Sequence, residues 1–457
     1  MNRFTQATLA LLIGSATTTT AGEWNSLFNG RNLDGWVSRG GSAPYTVEDG
    51  AIVGTYVKGT PNSFLCTEQL YGDFILELEF KVDEGCNSGV MFRAQARPDY
   101  KDNRVHGYQC EMETSNRKWT GGIYDEARRN WLYPLTYNPA ANDAHNVGEW
   151  NTMRIECIGP SLRTWINGIP AAWLIDDMDA SGFFGLQVHQ INKTGEVKKT
   201  ARWRNIRIQT DNLVPSPAPE GQFVRNLLDN QLSGVEQEQG WKLLFDGKTT
   251  KGWRGAHKDH FPKGGWKLED GVLSVLESGG AESVNGGDIV TKDEYSAFEL
   301  QLEFKPTTGA NSGIKYFVTE NYLKEGEQRS AIGLEYQILD NDVHPDAKKG
   351  RDGNRTMASL YDLKTAETKV IGRAVPRNIN GWNHARLIVF PDNRVEHWLN
   401  GYKVLEYTRG SAEFNDLVAR SKYKDWENFG MAESGHILLQ DHGNDVSFKS
   451  IKIRPLK

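Results

Sequence analysis

No cysteine follows Cys157 in a chain of 457 residues, and the four present, Cys66, Cys86, Cys110 and Cys157, include no pair at zinc-ligand spacing. Four cysteines allow three full disulfide pairings, among which the sequence does not choose, and buried free thiols in strands are the alternative. Basic residues are not in excess: the formal net charge is −6, so nothing draws the chain broadly to nucleic acid or an anionic membrane, and a small neutral or polar ligand is easier to accommodate. Beyond the N-terminus no apolar run is long enough to span a bilayer. Also missing are a Gly-rich phosphate loop, a Gly-x-Ser-x-Gly elbow, a His-Glu-x-x-His helix and a Glu-x-Asp-x-x-Glu strand.

The N-terminus "MNRFTQATLALLIGSATTTTAGEW" pairs Arg3 with a short apolar stretch and small residues up to Ala21. It predicts a signal peptide over residues 1–21 and a secreted or periplasmic mature protein.

What the rest contains is a repeat. "SLFNGRNLDGW" (26–36) returns as "KLLFDGKTTKGW" (242–253), and "LELEFKVDEGCNSGV" returns as "LQLEFKPTTGANSGI". "GEWNTMRI" returns as "NGWNHARL", in the same order. Two copies, 23–210 and 240–457, flank a linker over 211–239 whose Pro215, Pro217 and Pro219 predict a stiff connector, followed by one short helix. Within each copy, short alternating runs such as "FELQLEF" and Asn-Gly hairpins predict an antiparallel β-sandwich.

One such run, "GLEYQILDN" (333–341), turns Leu334, Tyr336 and Ile338 to a core and sets Glu335 and Gln337 on the other face. "HGYQCEMETS" does the same with Gln109 and Glu111, so both copies keep a carboxylate and a carboxamide with their order exchanged. Gln187 with His189, and Gln440 with His442, project similarly, and an imidazole near a carboxylate is a proton acceptor suited to neutral pH. Tyr124 with Asp125, and Tyr361 with Asp362, are candidate hydroxyl–carboxylate pairs. Trp119 and Trp131 offer flat surfaces to a sugar ring. Arg93 and Lys315, after "NSG", are candidate oxyanion binders. Asp340, Asp342 and Asp346 lie in an acidic loop whose oxygens suit a divalent cation such as calcium, though not at the spacing of the twelve-residue calcium loop. A solvated face and surface charges are the plain alternative for each.

"LFNG…LDGW", "VEDG", "NSGV", "GYQCEM…TGGIYDE" and "WINGIP", with their partners "NSGIKYFV", "GLEYQILD" and "LLQDHG", make each half resemble the 3-keto-disaccharide hydrolase domain family. The resemblance implies an all-β architecture of two tandem concanavalin A-like jelly-roll sandwiches. It also implies an extracytoplasmic role in bacterial carbohydrate use, on an oxidised 3-keto disaccharide or glycoside supplied by a sugar 3-oxidoreductase. A C3 ketone acidifies the hydrogen at C2, so one base and one enolate stabiliser suffice where ordinary retaining hydrolysis needs two carboxylates about 5 Å apart. On that reading Glu335 or His442 is the base, and Lys315, Tyr361 and a bound cation hold the enolate. Glu111, His189, Arg93 and Tyr124 are the first-copy counterparts, and Gln337, Gln440, Asp362, Gln109, Gln187, Asp125, Trp119 and Trp131 recognise the sugar. A lectin-like binding protein and a conventional glycoside hydrolase are the competing expectations.

Overall fold

The computed structural model describes residues 22–191, 198–322 and 330–457; the signal-peptide expectation over 1–21 falls outside them. Two antiparallel β-sandwiches follow one another. Among the described residues the first is built from a nine-stranded and a seven-stranded sheet, and the second from an eight-stranded and a five-stranded sheet, all nearly wholly antiparallel. None of the described helices is long and apolar enough to cross a membrane.

Alternation of apolar and polar residues makes the sandwich. In Phe74–Val82 the side chains of Phe74, Leu76, Leu78, Phe80 and Val82 are buried while Glu77 and Glu79 meet solvent. Across the interior Phe74 meets Phe184 of the other sheet edge-to-face at 4.7 Å. In the second domain the interior carries a polar cluster, in which the Tyr316 hydroxyl lies 2.9 Å from His397 Nε2 and 2.5 Å from the Tyr407 hydroxyl. All four cysteines are buried, and burial pushes the Cys66 thiol up to about 12.

The linker is not a free connector. Arg163 donates to the carbonyls of Ser216 and Pro217, at 2.6 and 2.8 Å. Arg225–Asn226 then adds a parallel strand to Ile169–Ile175 of the first domain. The short helix Gly234–Glu238 is closed by a Ser233–Glu236 capping box, and Glu236 also takes the buried Lys452 ammonium of the second domain at 2.5 Å. Arg225 reaches Glu303 at 2.6 Å, and Thr136 Oγ1 donates to the Gly401 carbonyl at 2.5 Å. These bonds fix the two sandwiches against each other.

Candidate active site

In the second domain the strand Asn311–Tyr322 pairs with Ser330–Leu339 so that Gly313 faces Gln337 and Lys315 faces Glu335. Glycine at 313 leaves the Glu335 carboxylate its place, since a Cβ there would lie 2.3 Å from Glu335 Oε1 and displace it. With its nitrogen turned to Glu335, the Gln337 amide donates to Glu335 Oε1 at 2.9 Å and to the Ser312 carbonyl at 3.2 Å. Around this pair lies a cleft of about 290 Å³ lined by Glu282, Lys315, Glu335, Gln337, Tyr361, Lys422, Trp426, Gln440 and His442 among others.

The electrostatics are those of a buried carboxyl between cations. Burial pushes Glu335 up to about 7, against the pull of the Lys315 and Lys422 ammonium groups. Burial also presses on Lys315, but Asp288, 3.6 Å away, and Glu335 more than offset it, so this ammonium sits above its ordinary value and stays charged. Lys422 is exposed as a residue, yet its ammonium end lies 4.2 Å over the Tyr361 ring; the crowding of the cleft wall lowers its pKa, with Glu335 opposing. Gln440 donates to Glu282 at 3.0 Å, and Asp441 accepts from the Gly286 and Gly287 amides, which pins the Glu282 loop beside the cleft. His442 Nδ1 is buried without a hydrogen-bond partner among the described residues.

The first domain repeats the frame with different contents. Gly89 faces Glu111 and Met91 faces Gln109, so carboxylate and amide have changed places. They remain bonded: Gln109 donates to Glu111 at 3.0 Å, and Asn87 donates to Glu111 at 2.5 Å. Burial raises Glu111 to about 7, with Arg117 opposing. Its cleft, about 380 Å³, is lined by Gln109, Glu111, Tyr124, Trp131 and His189, together with Arg104, Arg117 and Glu126.

Several expectations need correction. Arg93 is not the counterpart of Lys315; counted from the shared "NSG", Met91 is. Arg93 matches Phe317, and both sit at left-handed bulge positions, φ 45° and 53°, where strand alternation breaks. Its guanidinium is buried against Asp73 and the Gly72 and Gly159 carbonyls. Asp125 faces away from Tyr124 and is buried under Arg128 and Arg129, while the Tyr124 hydroxyl donates to Asn130. Tyr361 likewise donates to Asp346, at 2.8 Å, and not to Asp362. With that proton committed and its pKa raised by burial and by Asp346, Tyr361 offers a substrate an acceptor, not an enolate donor.

Asp362 accepts from Arg355 Nε and the Lys422 amide, so it positions the lysine segment instead of meeting a sugar. Trp119 and Gln187 are fully buried and line neither cleft. The acidic loop does not gather a ligand set: Asp340 accepts from the Gly309 and Asp342 amides, and Asp346 is held by Arg355 at 2.9 Å. Among the described residues no group of three or more His, Cys, Asp or Glu side chains is placed to hold a metal ion.

Lys422, Trp426 and Glu282 escaped the sequence reading. The signal for the first two was a length difference between the copies. Ile169–Ile175 and Phe183–Val188 are joined by residues 176–182, whereas Tyr402–Thr408 and His436–Leu439 are joined by 409–435. The extra segment forms the helix Ala412–Ala419 and then delivers Lys422, Tyr423 and Trp426 to the cleft.

A 3-keto-alpha-glucoside-1,2-lyase-like domain model matches residues 23–209 and again 240–454. The chain is similar to a 3-keto-disaccharide hydrolase of Bacteroides thetaiotaomicron, 38% identical over 238 residues that make up 48% of this chain and 79% of that protein. Among solved structures, a Parabacteroides distasonis protein described as a glycosyl hydrolase aligns at 30% identity over 50% of this chain and 100% of its own, with a TM-score of 0.43. A Bacillus subtilis protein with a galectin-like fold aligns at 14% identity over 42% of this chain and 96% of its own, with a TM-score of 0.32.

Proposed function

The chain belongs to the 3-keto-alpha-glucoside-1,2-lyase-like family, and from that premise we propose that its second domain cleaves 3-keto-glycosides by elimination and hydration. The observation that carries the reading is Glu335: a buried carboxyl held at about 7, in a cleft with two ammonium groups, is a base poised for neutral pH. Glu335 takes the proton from C2, and the C–H electrons move into a C2=C3 enolate whose oxygen is met by the charged Lys315. The enolate re-forms the C3 ketone as C1=C2 forms and the C1–O bond breaks, with Lys422 giving the departing oxygen its proton. Water then adds at C1 and a proton returns to C2, so the sum is hydrolysis. Gln337, Gln440 and Tyr361 are the hydroxyl-recognising groups, and His442 shares the cleft as a second proton acceptor.

The C3 ketone has to come from a sugar 3-oxidoreductase. The N-terminal apolar stretch would carry the chain out of the cytoplasm, where such a substrate can be met. A second reading, conventional glycoside hydrolysis, draws on Glu282 and Glu335 lining one cleft. Incubation with 3-keto-glucosides and their unoxidised parents, followed by mass spectrometry, separates the two: release from the keto forms alone supports elimination, and release from the parents supports the second reading. Saturable binding with no release from either would leave a lectin-like protein and end both.

A further inference from the structure

The first-domain cleft is not finished by its own domain. The hairpin Lys369–Val370 and Arg373–Ala374 belongs to the second sandwich, turns through Ile371 and Gly372 at φ 51° and 69°, and sets Arg373 into the lining of the first-domain cleft. Its base is closed by Val375 N donating to the Thr368 carbonyl at 2.9 Å and is tied to its own domain by Glu367 N donating to the Val404 carbonyl at 2.7 Å. Nearby, Tyr402 of the second domain packs on Trp119 of the first, with ring centroids 6.1 Å apart. Arg373 is therefore presented to this cleft by the interdomain packing and does not arrive there by chance of a loose loop.

The charges of the cleft leave that guanidinium without a counterpart. Glu111 is already met by Asn87, Gln109 and, at 3.4 Å, Arg117. Arg117 is itself forked onto Glu113, with Nε–Oε1 at 2.8 Å and Nη2–Oε2 at 2.6 Å. Glu126 is met by Asn62 at 3.2 Å and Arg104 at 3.6 Å. Arg373 makes no ion pair among the described residues, and it shares the cleft lining with Trp131. The chemistry proposed for the second site is missing here, because Met91 stands where Lys315 does and the short 176–182 connection brings no lysine.

We propose that the first-domain cleft is a composite, non-catalytic site that binds a saccharide bearing a carboxylate, with Arg373 of the second domain forking onto that group and Trp131, Gln109 and Glu111 meeting the ring. The site does not depend on what the second cleft does. The test is calorimetric titration of the full-length protein with methyl glucuronide and with methyl glucoside, repeated on Arg373→Ala and Arg373→Lys. The glucuronide is expected to bind the parent protein about tenfold more tightly than the glucoside, in proportion to one charge-assisted contact. Arg373→Ala should remove that preference, and Arg373→Lys should keep part of it. An unchanged melting temperature shows that the exposed hairpin tolerates the change. Equal affinities in the parent protein, no binding of either sugar, or a preference that survives Arg373→Ala would overturn the proposal; the last would place the anion in the second cleft with Lys315 and Lys422.

Discussion

Glu335 and Gln337 stand two residues apart on one face of one strand, the amide nitrogen 2.9 Å from the carboxylate. The amide orients the carboxylate at the cleft wall. The first domain keeps the same bonded pair with the residues exchanged, which moves its carboxylate from the strand position facing residue 315 to the one facing Gly89. A base displaced along the strand meets different neighbours. Glu335→Gln is therefore expected to lower kcat on a 3-keto-glucoside by about 10²–10⁴, as loss of a general base does, while Glu111→Gln leaves it within about threefold. Steady-state kinetics on the two variants checks this, and equal losses would contradict an active second domain with a silent first.

The pH dependence follows from the same carboxyl. The base must be ionised, and Glu335 ionises at about 7. kcat/KM should rise about tenfold per pH unit below that value and level off above it. A limb placed near 4.5, the ordinary carboxylate range, would mean that another group takes the proton.

Lys315 and Asp288 form a pair 3.6 Å apart at the edge of the cleft. Lys315→Met recreates the residue that the first domain carries at this position, and it should cost about 10²–10³ in kcat, the usual loss on removing one oxyanion donor. The buried Asp288 would be left without its cation, so the comparison belongs in an Asp288→Asn background, where a fall in kcat cannot be ascribed to an uncompensated charge.

Tyr361 gives a contrasting expectation. Its proton goes to Asp346, so Tyr361→Phe removes an acceptor and no enolate donor. A change of only a few-fold in kcat/KM is expected. A loss of about 10² or more in kcat would restore the hydroxyl to the enolate-stabilising role.

The fold was legible because its signal is local and repeated. Alternation in "LELEF" and "LQLEF", and the twice-ordered motifs, state two sandwiches without any long-range information. The central carboxylate and carboxamide were legible for the same reason, since period-two alternation puts Glu335 and Gln337 on one face. It failed where the period failed. The left-handed bulge residues Arg93 and Phe317 shift the register, so counting alternate positions through them misplaces everything beyond. Tyr361 and Asp346 are fifteen residues apart and Glu282 reaches Gln440 across one hundred and fifty-eight, and such pairings are written in tertiary packing. Lys422 left a trace only as extra length in the second copy.

The two perturbed carboxyls also set a dependence of stability on pH. Both Glu111 and Glu335 are held at about 7 in the folded protein against 4.5 ordinarily, so the native state keeps two protons that the unfolded chain releases. The stabilisation is fully present below about 4.5 and is lost as pH rises through about 7. For a shift of this size the linkage is on the order of 3 kcal/mol per group as an upper bound. Glutamine imitates the protonated carboxyl and cannot ionise, so the double variant Glu111→Gln, Glu335→Gln should lose much less stability than the parent between pH 5 and pH 8. Denaturant titrations at both pH values measure the two differences. Parallel curves for parent and variant would show that neither carboxyl is held protonated by burial, and would remove the physical ground for Glu335 as a base at neutral pH.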